Sequence, residues 1–171
     1  MKMDVVASSG NDEFYTPKIA VDAIIRNIDR SKIKKIWCPF DTEKSHFVRS
    51  FLSSGFDVVY THKDNGIDFF DAVVDCDAII SNPPYSKKTE VIDRLFRIGK
   101  PFAMLVGVVG LFESKRRFNM FKSNNFEIMY FNKRISYFKS YDDEIPSINP
   151  PFSSVYVCSG ILDKQICFEV I

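Results

Sequence analysis

Glycine is scarce in this sequence, and no Gly-x-Gly element occurs anywhere in it. Dinucleotide-binding α/β folds commonly place such glycines in the turn after the first strand, where the backbone approaches the pyrophosphate. Without glycine the backbone comes less close to a ligand. The loss is most serious for a ligand that carries phosphates, so a dinucleotide site is not indicated.

The spacing typical of metal ligands is also missing. The four cysteines, at positions 38, 76, 158 and 167, form no Cys-x-x-Cys pair, and the two histidines are not paired. We therefore expect no zinc or other metal site. Cysteines that are few and show no paired spacing indicate reduced thiols in a cytosolic protein.

Neither sign of charge dominates, and no apolar run is long. Lysine and arginine number 23 against 22 acidic residues, a formal net charge of +1, so any nucleic-acid surface must be local. The longest nearly apolar run, residues 101–112, is shorter than the about 20 residues of a membrane-spanning helix. The N-terminus lacks the pattern of a signal peptide. We expect a soluble intracellular protein with no membrane partner.

A regular alternation of helical and strand patterns runs along the chain. Helices are predicted over residues 17–29, 42–53, 89–99 and 115–123, the first with Thr16 as N-cap and Pro17 as first residue. Strands are predicted over residues 35–38, 57–61, 78–81, 102–106, 127–131 and 154–158, with an edge strand over 166–170. This order predicts an α/β fold with a mostly parallel sheet and helices on both faces. Ligands of such sheets bind beyond the carboxyl ends of the strands.

The most informative segment follows the predicted strand over residues 78–81. This buried run ends in Asn82-Pro83-Pro84-Tyr85, and the two prolines prevent the strand from continuing. Because proline restricts its own backbone and the residue before it, an amide and an aromatic ring are held with little freedom. Such a loop suits a planar, amine-bearing group. An ordinary turn is the alternative interpretation.

Asn82-Pro83-Pro84-Tyr85 resembles the catalytic motif of S-adenosylmethionine-dependent amino-group methyltransferases, above all the DNA N6-adenine enzymes. The chain as a whole is similar to small adenine methyltransferase-like proteins of phages and prophages. The resemblance implies a Rossmann-like methyltransferase sheet whose last strands form an antiparallel hairpin. It also implies S-adenosylmethionine as cofactor and the four motif residues as the catalytic group. Relatives with the same motif methylate adenine in DNA, adenine in RNA, or glutamine in proteins.

The resemblance further implies three segments at the cofactor. They are Tyr15, Thr16 and Pro17 before the first helix; Cys38, Pro39, Phe40 and Asp41 after the first strand; and Asp68 with Phe69 near the cofactor adenine. A plain helix start is the alternative for the first segment, and a turn followed by core residues for the third. The acidic residue expected after the second strand is absent, and His62 or Asp64 would have to bind the ribose instead.

The implied reaction is attack of an amine on the sulfonium methyl group. The Asn82 side chain and the Pro83 carbonyl would accept hydrogen bonds from the two N–H groups of the amine, and Tyr85 would stack on the base. An adenine in a duplex must first be flipped out. Basic residues predicted to contact nucleic acid are Lys87, Lys88, Lys115, Arg116 and Arg117, with solvated helix starts as the alternative.

We expect one domain over residues 1–171 with no separate target-recognition domain, acting on DNA or RNA in the host bacterial cytoplasm. A homodimer or a protein partner would then supply sequence specificity. The alternatives are an RNA adenine or protein glutamine methyltransferase, or an inactive binding or inhibitor module. A second Asn-Pro-Pro-Phe element at residues 149–152 precedes a strand, and is interpreted as a substrate-side loop or a hairpin connection rather than a catalytic element.

Overall fold

A computed structural model of the protein describes residues 14–171. Its helices are α1 (Lys18–Ile25), α2 (His46–Ser53), α3 (Lys88–Ile98) and α4 (Lys115–Lys122). Its strands are β1 (Lys35–Cys38), β2 (Asp57–Tyr60), β3 (Ala78–Ser81), β4 (Phe102–Gly107), β5 (Glu127–Phe131), β6 (Ser154–Ser159) and β7 (Ile166–Glu169). Short 3-10 turns occupy Lys63–Asn65 and Tyr85–Lys87.

The strands form one seven-stranded sheet in the order β2-β1-β3-β4-β6-β5-β7. The first four of these strands are mutually parallel, β6 is antiparallel to both β4 and β5, and β7 pairs parallel with β5 at the edge. This arrangement confirms the predicted fold class, a mostly parallel sheet with an antiparallel pair near the C-terminus. The chain adds β2 on one side of β1 and β3 on the other, so the order reverses between β1 and β3. Ligands of open α/β sheets bind at such a switch point.

Two apolar clusters cover the two faces of the sheet. One joins Ile24 of α1 and Phe51 of α2 to Ile80 of β3. The other joins Leu95 of α3 to Ile79, the neighbouring residue of the same strand. Successive side chains of a strand point to opposite faces, so β3 is buried on both sides. The predicted placement of helices on both faces is therefore confirmed.

Three helix starts differ from the sequence-based prediction, that of α3 by one residue because it begins at Lys88. Pro17, not Thr16, is the N-cap of α1, and no side chain caps that helix. The α2 helix begins at His46 instead of residue 42, because the Ser45 hydroxyl accepts from the backbone N–H of Phe47 and caps the helix there. The strands β1, β3 and β5 have the predicted bounds.

Within residues 14–171, none of the helices has the length and apolar composition needed to cross a membrane. The same part of the chain contains no group of three or more His, Cys, Asp or Glu side chains that could hold a metal ion.

Candidate functional site

A cavity of about 530 Å³ lies where β1, β2 and β3 end, at the switch point of the sheet. Its walls come from segments that are distant in sequence but adjacent at this edge. These are Phe14, Tyr15 and Thr16; Pro39, Phe40, Asp41, Thr42 and Lys44; His62, Lys63 and Asp64; Asp68, Phe69 and Phe70; Asn82, Pro83, Pro84, Ser86 and Lys87; and Ser140, Tyr141 and Asp142. The volume is within the range of about 300 to 1,000 Å³ that is usual for small-molecule sites.

A buried carboxylate joins the strand ends beneath this cavity. Asp41 is 5% exposed and accepts hydrogen bonds from the hydroxyls of Ser45 and Ser81. Its backbone N–H donates to the carbonyl of Thr61, the residue after β2, at 3.1 Å. Hydrogen bonds to a charged group are stronger than neutral ones. The glycine-free loop after β1 is therefore fixed to β3 and to the segment after β2.

Aromatic rings form one side of the cavity. The Phe40 ring lies 5.1 Å from the Phe69 ring between centroids, and Trp37 packs behind Phe69 at 5.5 Å. Asp68, next to this wall, accepts from the backbone N–H of Phe70 at 2.8 Å, so its carboxylate is held by its own turn. An apolar face beside a carboxylate suits a planar heterocycle with an exocyclic amine.

His62 also lines the cavity, and it is buried rather than solvated. Its Nδ1 accepts from the backbone N–H of Asp64 at 3.2 Å. In the neutral ring the proton therefore resides on Nε2, which makes that atom a donor.

The Asn82 amide is oriented by the segment before α1. Its Nδ2 donates to the carbonyl oxygen of Phe14 at 2.9 Å and to the hydroxyl oxygen of Thr16 at 3.1 Å. A carbonyl can only accept, so the atom facing Phe14 must be the nitrogen. With both amide N–H bonds used in this way, the side-chain oxygen Oδ1 is the acceptor that Asn82 presents to a ligand.

A second, much smaller cavity of about 10 Å³ lies on the other side of Asn82. Phe14, Asn82 and Pro83 line both cavities and form the wall between them. The small cavity is closed by aromatic rings, because Tyr85 stacks on Phe152 with centroids 5.4 Å apart and an interplanar angle of 26°. A volume of this size holds about one water molecule, so a substrate group would have to displace the Phe152 ring.

Most of the residues predicted from sequence to bind the cofactor lie at the large cavity. Tyr15, Thr16, Pro39, Phe40, Asp41, Asp68 and Phe69 all line it, as do three residues of the Asn-Pro-Pro-Tyr loop. Tyr85 instead lines the small cavity. The structure thus brings the loop after β1 and the loop after β3 together.

Two predicted cofactor contacts are corrected. Cys38 is fully buried, and the alternation of β1 turns its side chain into the core, where burial raises the pKa of its thiol. Pro17 is the N-cap of α1 and does not line the cavity.

The predicted basic residues differ in their surroundings. Lys88, predicted to contact nucleic acid, is buried, and its ammonium is bonded to the backbone carbonyls of Gly107 and Val109. Lys87 and Lys115 are exposed. Arg116 is exposed as well, but lies 3.7 Å from Glu90 and 3.4 Å from Asp93. Arg117 is partly exposed, and its side chain donates to the Ser114 hydroxyl at 3.2 Å.

Residues between β5 and β6 were missed by sequence reasoning. The Tyr141 ring lies 4.3 Å from the Tyr15 ring, and Asp142 is 3.7 Å from the ammonium of Lys44. In the same connection, Phe152 contacts Tyr85. The sequence signal in this connection is the second Asn-Pro-Pro-Phe element, which predicts a substrate-side loop or a hairpin connection and no catalytic role.

No protein-family model matches the chain, and no curated protein matches it in sequence. Solved structures with a similar fold include the precorrin-6y C5,15-methyltransferase from Geobacter metallireducens, at 11% identity and a TM-score of 0.43, covering 86% of this chain and 92% of that one. A protein-(glutamine-N5) methyltransferase, release factor-specific, from Alicyclobacillus acidocaldarius is 14% identical with a TM-score of 0.39, covering 82% and 90%.

A third similar structure is assigned as a modification subunit of a type I restriction enzyme from Vibrio vulnificus, at 11% identity and a TM-score of 0.44. The match covers 85% of this chain but only 44% of that one. All three likenesses concern the fold alone.

Proposed function

We propose that this protein transfers a methyl group from S-adenosylmethionine to an exocyclic amine, and that the amine is adenine N6 in DNA. The observation that carries the proposal is the placement of Asn82. Its amide stands in the wall between a cavity large enough for the cofactor and a small cavity beside Tyr85, with Oδ1 as its acceptor.

The residues of the large cavity fit S-adenosylmethionine. The partly exposed Phe40 ring, packed against the buried Phe69, offers an apolar face to its adenine, and the Asp68 carboxylate offers an acceptor to its exocyclic amine. His62 lines the same cavity, and the ribose hydroxyls would be held beside it. This cofactor has no phosphate, so it does not need the close backbone approach that glycines provide.

When bound, S-adenosylmethionine supplies a methyl group on a positively charged sulfur. Asn82 Oδ1 and the Pro83 carbonyl accept the two N–H bonds of the substrate amine and stabilise the positive charge that develops on its nitrogen. Transfer would form a C–N bond at the expense of the C–S bond of the cofactor, and the extra proton would leave the nitrogen to solvent afterwards. Tyr85 orients the substrate by stacking on its plane. Alignment of nitrogen and methyl group supplies much of the acceleration.

A nucleic acid is favoured because basic side chains occur on the elements that follow β3 and β4, and one of them, Lys87, lines the large cavity; the resemblance of the Asn-Pro-Pro-Tyr motif favours DNA. The basic side chains are Lys87, Lys115, Arg116 and Arg117. The target base would be flipped out of the duplex and would displace Phe152 to reach Asn82. Since the motif resembles phage and prophage enzymes, we propose that the protein acts in the host bacterial cytoplasm and that a second copy or a protein partner supplies sequence specificity.

The test is a transfer assay with radiolabelled S-adenosylmethionine and three substrates in parallel: DNA, RNA and cell protein. Label should enter DNA as N6-methyladenine. Asn82→Ala should lower the transfer rate by about 10²- to 10³-fold while the protein stays folded. The matched control is Asn125→Ala, which removes the same side chain from an exposed position between α4 and β5, outside both cavities, and should keep the rate within about threefold.

Each other outcome has a definite meaning. Label in RNA or protein alone would mean that the proposed reaction is correct and that the proposed substrate, DNA, is wrong. An Asn82→Ala variant with full activity would overturn the assigned mechanism. Calorimetric titration that detects no cofactor binding, with or without DNA, would identify a methyltransferase-like binding module instead of an enzyme.

A further inference from the structure

Lys88 is the first residue of α3, yet only 7% of it is exposed. Its Nζ donates to the carbonyl oxygen of Gly107 at 3.3 Å and to that of Val109 at 3.1 Å. The same atom lies 5.3 Å from the centroid of the Tyr85 ring, which is within cation–π distance. One ammonium group therefore contacts both the segment at the end of β4 and the aromatic ring of the Asn-Pro-Pro-Tyr loop.

These contacts border the small cavity beside Asn82. Tyr85 stacks on one side of the Phe152 ring, and Gly107 is so close to that ring that a Cβ atom there would lie 2.9 Å from it. The ammonium of Lys88 is bonded to Gly107 and faces Tyr85. Any displacement of Lys88 would thus change the space in which a substrate amine meets Asn82.

Burial of an ammonium group is costly, so the charge at this position calls for an explanation. Burial lowers the pKa of Lys88 from 10.5 to about 8; the charge of Arg117 acts in the same direction, and Glu113 opposes it. The phenols of Tyr85 and Tyr137 are the other ionisable groups along the small cavity. Apolar residues of similar volume often stabilise a fold as well as buried charges do. A functional role for the charge is therefore indicated.

We propose that Lys88 is a positioning residue for methyl transfer: its ammonium holds Tyr85 and the end of β4 at the separation that the substrate amine needs beside Asn82. This inference rests on the proposed function. The neutral amine is a weaker donor and is not attracted to the face of the ring. The transfer rate should therefore be constant at low pH and fall as the pH rises through about 8.

The first test is Lys88→Met, which keeps a long side chain and removes the charge. We expect kcat on DNA to fall by about 10- to 100-fold, and the decline of kcat near pH 8 to disappear from the pH profile. Cofactor affinity measured by calorimetry should stay within about twofold, because Lys88 does not line the large cavity.

The matched control is Lys164→Met, which removes an exposed ammonium between β6 and β7 and should leave kcat and the pH profile unchanged. A Lys88→Met variant with wild-type kcat, or with the wild-type decline near pH 8, would overturn the proposal.

A second readout does not depend on activity. In protein labelled with ¹³C-tyrosine, the ring signals of Tyr85, assigned with Tyr85→Phe, should shift with a midpoint near pH 8 in the wild type and not in Lys88→Met. If the wild type methylates no substrate, the proposed function fails. The titration would still show whether the Lys88 ammonium contacts the Tyr85 ring. Tyr85 signals that are identical in both proteins across that range would refute the contact.

Discussion

At the scale of single residues, Asp41 fixes the glycine-free loop after β1. Glycines let a loop approach its ligand, whereas here the loop after β1 is held in place by a carboxylate that accepts from Ser45 and Ser81. Ser81 is the residue before Asn82, so the network ties the candidate cofactor loop to the candidate catalytic loop. Asp41 lines the cavity and also determines the shape of that cavity.

Asp41→Asn should destabilise the protein by about 1 to 3 kcal/mol, because the amide keeps one acceptor oxygen where two buried hydroxyls donate to the two oxygens of the carboxylate. Urea titration of the free energy of unfolding measures this loss. Asp64→Asn, at an exposed carboxylate of the same cavity, is the matched control and should change stability by less than about 0.5 kcal/mol. Equal effects of the two variants would show that the Asp41 network contributes nothing.

At the scale of elements, the connection between β5 and β6 contributes to both cavities. Tyr141 packs on Tyr15 at the large cavity, and Phe152 stacks on Tyr85 at the small one. The antiparallel pairing of β4 with β6 brings Gly107 opposite Ser154, two residues after Phe152. The pairing of these two strands therefore sets the position of the ring that closes the small cavity.

Gly107→Ala tests this arrangement, since the new methyl group would lie 2.9 Å from the Phe152 ring. The glycine does not have a positive φ, so the clash with the ring is the only expected cost. We expect a loss of about 1 to 3 kcal/mol in the free energy of unfolding, as for overpacked cores. In the double variant with Phe152→Leu the loss should shrink, a non-additivity that a double-mutant cycle measures. Strictly additive effects would contradict the contact.

At the scale of the whole molecule, the site is a product of sheet topology. The strand order reverses between β1 and β3, so the loops that follow them lie side by side at one edge. Helices on both faces bury the sheet and leave this edge open to ligands. A cofactor bound there would contact segments from the start of the chain to the connection before β6, and should stabilise the fold as a unit.

S-adenosylmethionine at a concentration of about 100 times its dissociation constant should therefore add about 2.7 kcal/mol to the stability. For a chain of this length the expected rise in Tm is about 5 to 11 °C. Thermal unfolding followed by circular dichroism measures the shift, and Asn82→Ala should show a similar one if Asn82 acts mainly on the amine. No rise in Tm at saturating cofactor would contradict the large cavity as its site.

The sequence by itself determined the type and order of the elements. Continuous apolar runs such as residues 78–80, bounded by prolines and polar residues, specify buried strands locally, and parallel strands joined through helices leave few alternatives for the sheet. The candidate loop Asn82–Tyr85 was predictable for the same reason, because its constraints lie within four consecutive residues.

Only the tertiary structure decided what each polar side chain does. Thr16 is a typical N-cap in sequence, yet its hydroxyl accepts from Asn82, 66 residues away. Lys88 is a typical exposed lysine in sequence, yet its ammonium is buried and donates to the carbonyls of Gly107 and Val109 at the end of β4. Local patterns record how often a residue is apolar or prefers a cap. They carry no information about which distant backbone group will need a hydrogen-bond partner once the sheet has formed.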